Sequence, residues 1–114
     1  MSRSSLYPEQ RLRRRVMALA LEVGVNPAQV VIRPLSDKWG SCAPDGVVTL
    51  AADLATAEPD LQDYVIVHEL LHLRYQDHGR LFRALLAAHV PGAALVEARL
   101  ARAMPTRGVD SAVD

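Results

Sequence analysis

The chain has 114 residues, half of them apolar, few of them aromatic, and a formal net charge of zero. That length supports one modest core built mainly of aliphatic side chains, and the charge balance supplies no overall attraction to nucleic acid or membrane. No apolar run approaches the ~20 residues that span a bilayer, and a lone cysteine, Cys42, excludes an internal disulfide framework.

Residues 1–5 read as a flexible tail. Arg11, Arg13, Arg14 and Arg15 interrupt any signal-type apolar stretch, so the expected location is cytoplasmic. Pro8 suits the first position of a helix that runs to about Val23 and stops at Gly24. Leu12, Val16, Leu19 and Val23 share one face of it, and the arginines fall largely elsewhere. A basic cluster of this kind is a phosphate-binding patch or, more commonly, a solvated face.

Asn26-Pro27 breaks the chain. Gln29–Arg33 reads as a strand that Pro34 ends, and Val47–Leu50 reads as a second strand after the turn signal Pro44-Asp45-Gly46. The expected pairing is antiparallel, directly or through a short strand around Trp39. A connector covers 53–58, and a helix is expected from about Pro59 to about Gln76. Two further helices, about 80–88 and 93–103, follow, with Pro91-Gly92 between them. The expected organisation is one domain over 6–104 and a disordered tail over 105–114.

The long helix carries His68-Glu69-Leu70-Leu71-His72. Residues four apart lie on one helical face, so His68 and His72 can point at one ion. Glu69 lies about 100° further round, where its carboxylate reaches a metal-bound water without ligating. Neutral imidazole is a good zinc ligand, and a catalytic zinc takes three protein ligands and keeps one open position. The H-E-x-x-H spacing thus supplies two ligands and a general base.

Three residues could complete the site. His78 follows a helix end signalled by Asp77 and Gly79, and a turn there brings it back over the ion. Glu97 sits on the last helix, as in zinc sites of the gluzincin type. His89 closes the third helix. His78 is the first choice, which makes His68, His72 and His78 the expected ligands of one Zn2+ per chain.

Several stretches resemble the YgjP-like, SprT-related zinc metallopeptidases: Trp39-Gly40-Ser41-Cys42, Gly46–Leu50, Tyr64–Leu73, Asp77-His78-Gly79 and Phe82. The resemblance implies an α+β, minimal zincin-like fold with an N-terminal helix, a small antiparallel sheet, an active-site helix and two C-terminal helices. It implies His78 as third ligand and a peptide or protein substrate. The chain departs from the family's usual pattern at Lys38, Ala51, Asp77 and Gly79, none of them a ligand.

The expected activity is peptide hydrolysis by a zinc-activated water with Glu69 as base. Tyr75, Arg74, Arg80 and Lys38 are the candidate donors to the transition state, and Asp77 a candidate partner for an imidazole. Trp39 reads as a packing residue. Cys42 reads as a small buried residue, with a fourth, inhibitory ligand as the sharper alternative. A different class of function is a zinc-stabilised, non-catalytic module that contacts nucleic acid or a protein through the arginine-rich helix. Glu69 argues against it, because a structural zinc site has no use for a base.

Overall fold

A computed structural model describes residues 7–103. The tails expected at 1–5 and 105–114, and residues 6 and 104, lie outside the described residues.

The order is α1 (Pro8–Val23), β1 (Gln29–Arg33), β2 (Gly40–Cys42), β3 (Val47–Ala51), a 3-10 helix (Ala52–Thr56), α2 (Pro59–Leu71), α3 (Arg80–His89) and α4 (Ala93–Ala103). Pro8 and Pro59 stand at helix starts, where the missing N–H has no partner to lose. Gly24 ends α1 at φ 84°, and its N–H donates to the Ala20 carbonyl. That left-handed conformation favours glycine.

The sheet corrects one expectation. Its order is β1-β3-β2, and it is mixed: β1 pairs with β3 in parallel, Gln29 opposite Val47, while β2 pairs with β3 antiparallel, Gly40 opposite Leu50. The short strand at Gly40–Cys42 supplies the reason. It reverses the chain once before β3, through the turn at Ala43–Gly46, so β3 runs in the direction of β1 and slots between its two predecessors. In that turn Gly46 adopts φ 93° and donates its N–H to the Ala43 carbonyl.

A second correction concerns the length of α2. The helix ends at Leu71 and not near Gln76. The N–H groups of His72, Leu73 and Arg74 donate to the carbonyls of Glu69, Leu70 and Leu71, three residues back. The last turn therefore tightens, and the chain leaves the helix axis in time for His78 to turn back.

α2 is the central element: Tyr64, Val65, Ile66, Val67, His68, Glu69, Leu70 and Leu71 are all buried. It packs against α1, the sheet, α3 and α4. A helix covered on all sides loses the one-sided apolar stripe of a surface helix. Full burial of an aliphatic side chain contributes about 1.5–3 kcal/mol. The five buried aliphatics of α2 thereby offset the cost of burying Glu69 and two histidines in the same turns.

Ion pairs tie α2 to its neighbours. Arg15 of α1 grips Asp63 with two hydrogen bonds, 2.8 and 2.7 Å. Arg99 of α4 reaches Glu58, at 3.3 Å, and Asp60. No single helix among the described residues is long and apolar enough to cross a membrane. α3 and α4 pass that test only as a pair, bent by 100°.

Candidate metal centre

His68 lies in the last turn of α2 and His72 caps it one turn on, and both present their Nε2 atoms to the same point. His78, from the loop between α2 and α3, completes the cluster. Its Nε2 lies 2.9 Å from that of His72 and 3.2 Å from that of His68. Three ligands each about 2.0–2.1 Å from a tetrahedral ion lie about 3.3 Å from one another. The observed 2.9 and 3.2 Å are close to that spacing, and the donor set of three imidazoles fits a divalent ion such as zinc. Among the described residues these three form the group whose ligand atoms all converge within 4.8 Å.

The surroundings hold each ring in place. His72 Nδ1 lies 2.9 Å from the Tyr75 carbonyl oxygen. A carbonyl only accepts, so Nδ1 carries the proton and Nε2 turns its lone pair to the cluster. The tightened end of α2 is what delivers the Tyr75 carbonyl to this position. His78 is fixed through its backbone: Asp77 Oδ1 accepts from the Gly79 N–H at 3.2 Å, and Arg83 Nε donates to the His78 carbonyl at 3.3 Å. Asp77 thus closes the turn that carries His78, with its Oδ1 on the Gly79 N–H and not on an imidazole.

Phe82, on the inner face of α3, packs against all three imidazoles. Its ring centroid is 5.0 Å from that of His68, 4.8 Å from that of His72 and 5.0 Å from that of His78. It is 2 % exposed. Glu69 is fully buried beside the cluster, on the side of β2. Gly40 and Cys42 face α2 from that strand, because residues two apart lie on one face of a strand.

The other candidates for third ligand are engaged elsewhere. Glu97 Oε2 accepts the Tyr64 hydroxyl proton at 2.9 Å, and His89 Nδ1 lies 2.9 Å from Glu22 Oε2. The Cys42 thiol is outside the converging group. It is buried, 3.8 Å from the Ala43 carbonyl oxygen, and it lines a cavity of about 170 Å³ next to His72, Leu73 and Arg74. Trp39 is buried between the 3-10 helix, α2 and α4.

Residues 7–103 match the family described as YgjP-like, metallopeptidase domain. The chain belongs to this family. Membership makes it a metallopeptidase domain, with peptides as substrates and a metal ion in its chemistry. Two crystal structures show that the YgjP-like chain shares its fold with metallopeptidase zymogens. That of Pyrococcus abyssi abylysin is 23% identical at a TM-score of 0.73, over 86% of this chain and 99% of its own. That of Methanocaldococcus jannaschii jannalysin is 19% identical at 0.69, over 80% of this chain and 94% of its own. A comparison with curated proteins gives no match.

Of the candidate transition-state donors of this YgjP-like domain, Arg74 gives a hydrogen bond of 2.6 Å to the Gly24 carbonyl. Tyr75 is half-buried, and Arg80 is the exposed first residue of α3. Sequence reasoning placed Phe82 among the residues that carry the family resemblance, but gave it no contact with the histidines. Its spacing of four from His78, at the start of an amphipathic helix, is the signal that relates them. The Tyr75 carbonyl left no signal, because any residue supplies a carbonyl.

Proposed function

We propose that the chain is a zinc-dependent metallopeptidase in which His68, His72 and His78 hold one zinc ion and Glu69 is the general base. The observation that carries this reading is the convergence of three imidazole Nε2 atoms, with spacings of 2.9 and 3.2 Å, next to a buried glutamate. A bound zinc would supply a Lewis acid for the scissile carbonyl and lower the pKa of a water toward ~7. The residues of the chain do the rest. Glu69 takes the proton of the attacking water and passes it to the leaving amine. The Tyr75 carbonyl keeps His72 in the tautomer that ligates, and Phe82, packed against all three rings, excludes water from that side. A low local dielectric strengthens each electrostatic contact on the reacting atoms.

β2 is an edge strand that pairs only with β3 among the described residues. It runs past Glu69, so its outer edge offers backbone groups to an extended peptide laid alongside it. The arginine-rich helix favours no second reading. Arg15 is engaged with Asp63, and Arg13 donates to the Val30 carbonyl at 2.7 Å, so two of its arginines hold the fold together.

The test pairs elemental analysis with casein cleavage for the wild type and Glu69→Gln. One zinc per chain in both proteins, with cleavage by the wild type alone, is the expected result. Equal cleavage by both would remove Glu69 from the mechanism, and absence of bound zinc from both would remove the metal site.

A further inference from the structure

Gly40 has an ordinary backbone: the glycines at positive φ among the described residues are Gly24 and Gly46. Conformational freedom therefore does not explain a glycine at position 40. Space does. A β-carbon on Gly40 would lie 3.1 Å from Cγ of Glu69, 3.1 Å from the Thr49 carbonyl oxygen and 3.3 Å from Cδ2 of Leu50. Carbon atoms in good contact stand about 3.5–4.0 Å apart.

The three neighbours are not equally able to yield. The Thr49 carbonyl belongs to β3, the middle strand, and moving it strains the ladder on both sides. Leu50 Cδ2, at 3.3 Å, is the end of a flexible side chain and yields by the few tenths of an ångström required. β2 cannot back away. Trp39 and Cys42, at its two ends, are buried, and the Trp39 carbonyl accepts from the Ala51 N–H at 2.9 Å. Glu69 is as buried as Leu50, but its contact is at Cγ, 3.1 Å away, so relief there turns the side chain about its own torsions and carries the carboxylate with it.

We infer that Gly40 is a positioning residue for Glu69: the bare backbone of β2 is the wall against which the glutamate methylenes rest, and it sets where the carboxylate stands relative to the three imidazoles. The inference rests on the proposed role of Glu69 as base. It assigns a task to the glycine of the Trp-Gly-Ser-Cys stretch that packing alone does not.

The experiment uses the full chain loaded with zinc and a labelled casein as substrate. Gly40→Ala is compared with wild type, with Glu69→Gln and with Gly46→Ala. The last puts a β-carbon 3.1 Å from Ala28 at a positive φ, so it strains the fold away from the site. A misplacement of about 1 Å costs about 100-fold in rate. Gly40→Ala is therefore expected to lower kcat about 100-fold, with KM and zinc content unchanged. Gly46→Ala is expected to lower Tm and leave kcat alone. A second arm does not depend on activity. The Tm loss caused by Gly40→Ala is measured in the wild type and in a Glu69→Ala background, where the Cγ contact is gone. A smaller loss in that background, or folding of the double variant where the single one fails, supports the contact. Wild-type kcat in Gly40→Ala, or the same Tm loss in both backgrounds, overturns the inference. Full activity of Glu69→Gln instead overturns the base assignment, while the Tm arm still reports on the contact.

Discussion

The ring of Phe82 stands 5.0 Å from the imidazole of His78, at 81° to it. His68 is in α2 and His72 caps it, whereas His78 is on the loop beyond, so this contact backs the member of the cluster farthest from the helix. Phe82→Leu keeps an apolar filler and removes the flat wall shared by the three rings. Loss of a group that orients metal ligands typically costs 10–100-fold in affinity. A zinc titration against a chromophoric chelator is expected to show a loss of about that size. Phe82→Ala adds a cavity and is expected to cost about 3–5 kcal/mol of stability as well. Wild-type zinc affinity in Phe82→Leu would reduce Phe82 to a filler.

The choice of third ligand leads to a set of single substitutions. His78→Ala leaves two imidazoles and is expected to abolish tight zinc binding. Glu97→Gln keeps an acceptor for the Tyr64 hydroxyl, and His89→Gln breaks only the contact with Glu22. Both are expected to retain one zinc per chain. Cys42→Ser is expected to retain it too, because the thiol lies outside the converging group. Elemental analysis after gel filtration reads all four. A zinc-free Glu97→Gln would move the ligand role to α4.

The histidine cluster was legible in the sequence where side-chain placement is tied to helical spacing. His68, Glu69 and His72 follow from one turn of helix, and His78 from a helix end signalled by Asp77 and Gly79. Element bounds followed where Pro8, Gly24 and Pro59 punctuate the chain. The sense of the β1–β3 pairing was not legible. It depends on whether a three-residue strand at Gly40–Cys42 reverses the chain once more, and so short a segment leaves almost no periodicity. The end of α2 was overrun because Leu73 continues its apolar spacing, whereas the hydrogen bonds tighten after Leu71. The contact of Gly40 with Glu69 joins residues far apart in the chain and is visible only once the strand lies on the helix.

Arg15 and Asp63 connect α1 to α2 five residues before His68. The hydrogen bond to Asp63, more than the charge attraction, raises the Arg15 guanidinium above its ordinary value. A raised pKa on a cation contributes stability below its unfolded value and loses it only as pH climbs through the folded one. For arginine that loss lies beyond the alkaline limit of most proteins, so the pair is expected to be insensitive to pH across the neutral range. The side chains are 45% and 26% exposed, and solvent screening holds such a pair to about 1 kcal/mol or less. Arg15→Gln is expected to lower Tm by a few degrees at low salt and by less at high salt. A loss that does not change with salt would mean that the arginine acts through packing of its stem.

Zinc binding and folding are expected to be coupled, because the three ligands come from two segments that meet only in the folded chain. His68 is on α2, His72 caps it, and His78 is on a loop in which Asp77 and Arg83 each make a hydrogen bond. A ligand that binds the folded state alone stabilises it by about 2.7 kcal/mol at 100 times its Kd. Removal of zinc by a chelator is therefore expected to lower Tm, and restored zinc to recover it. The loss should be local as well as global. Hydrogen exchange is expected to quicken first at residues 75–79 and at the start of α3, where the ion replaces few other contacts. The amides of Val65 to Leu70, in the middle of the core, are expected to stay protected until the whole chain unfolds. Chelation that lowers Tm with no change in exchange around His78 would show that the loop is held by the protein alone and that the ligand cluster is preformed.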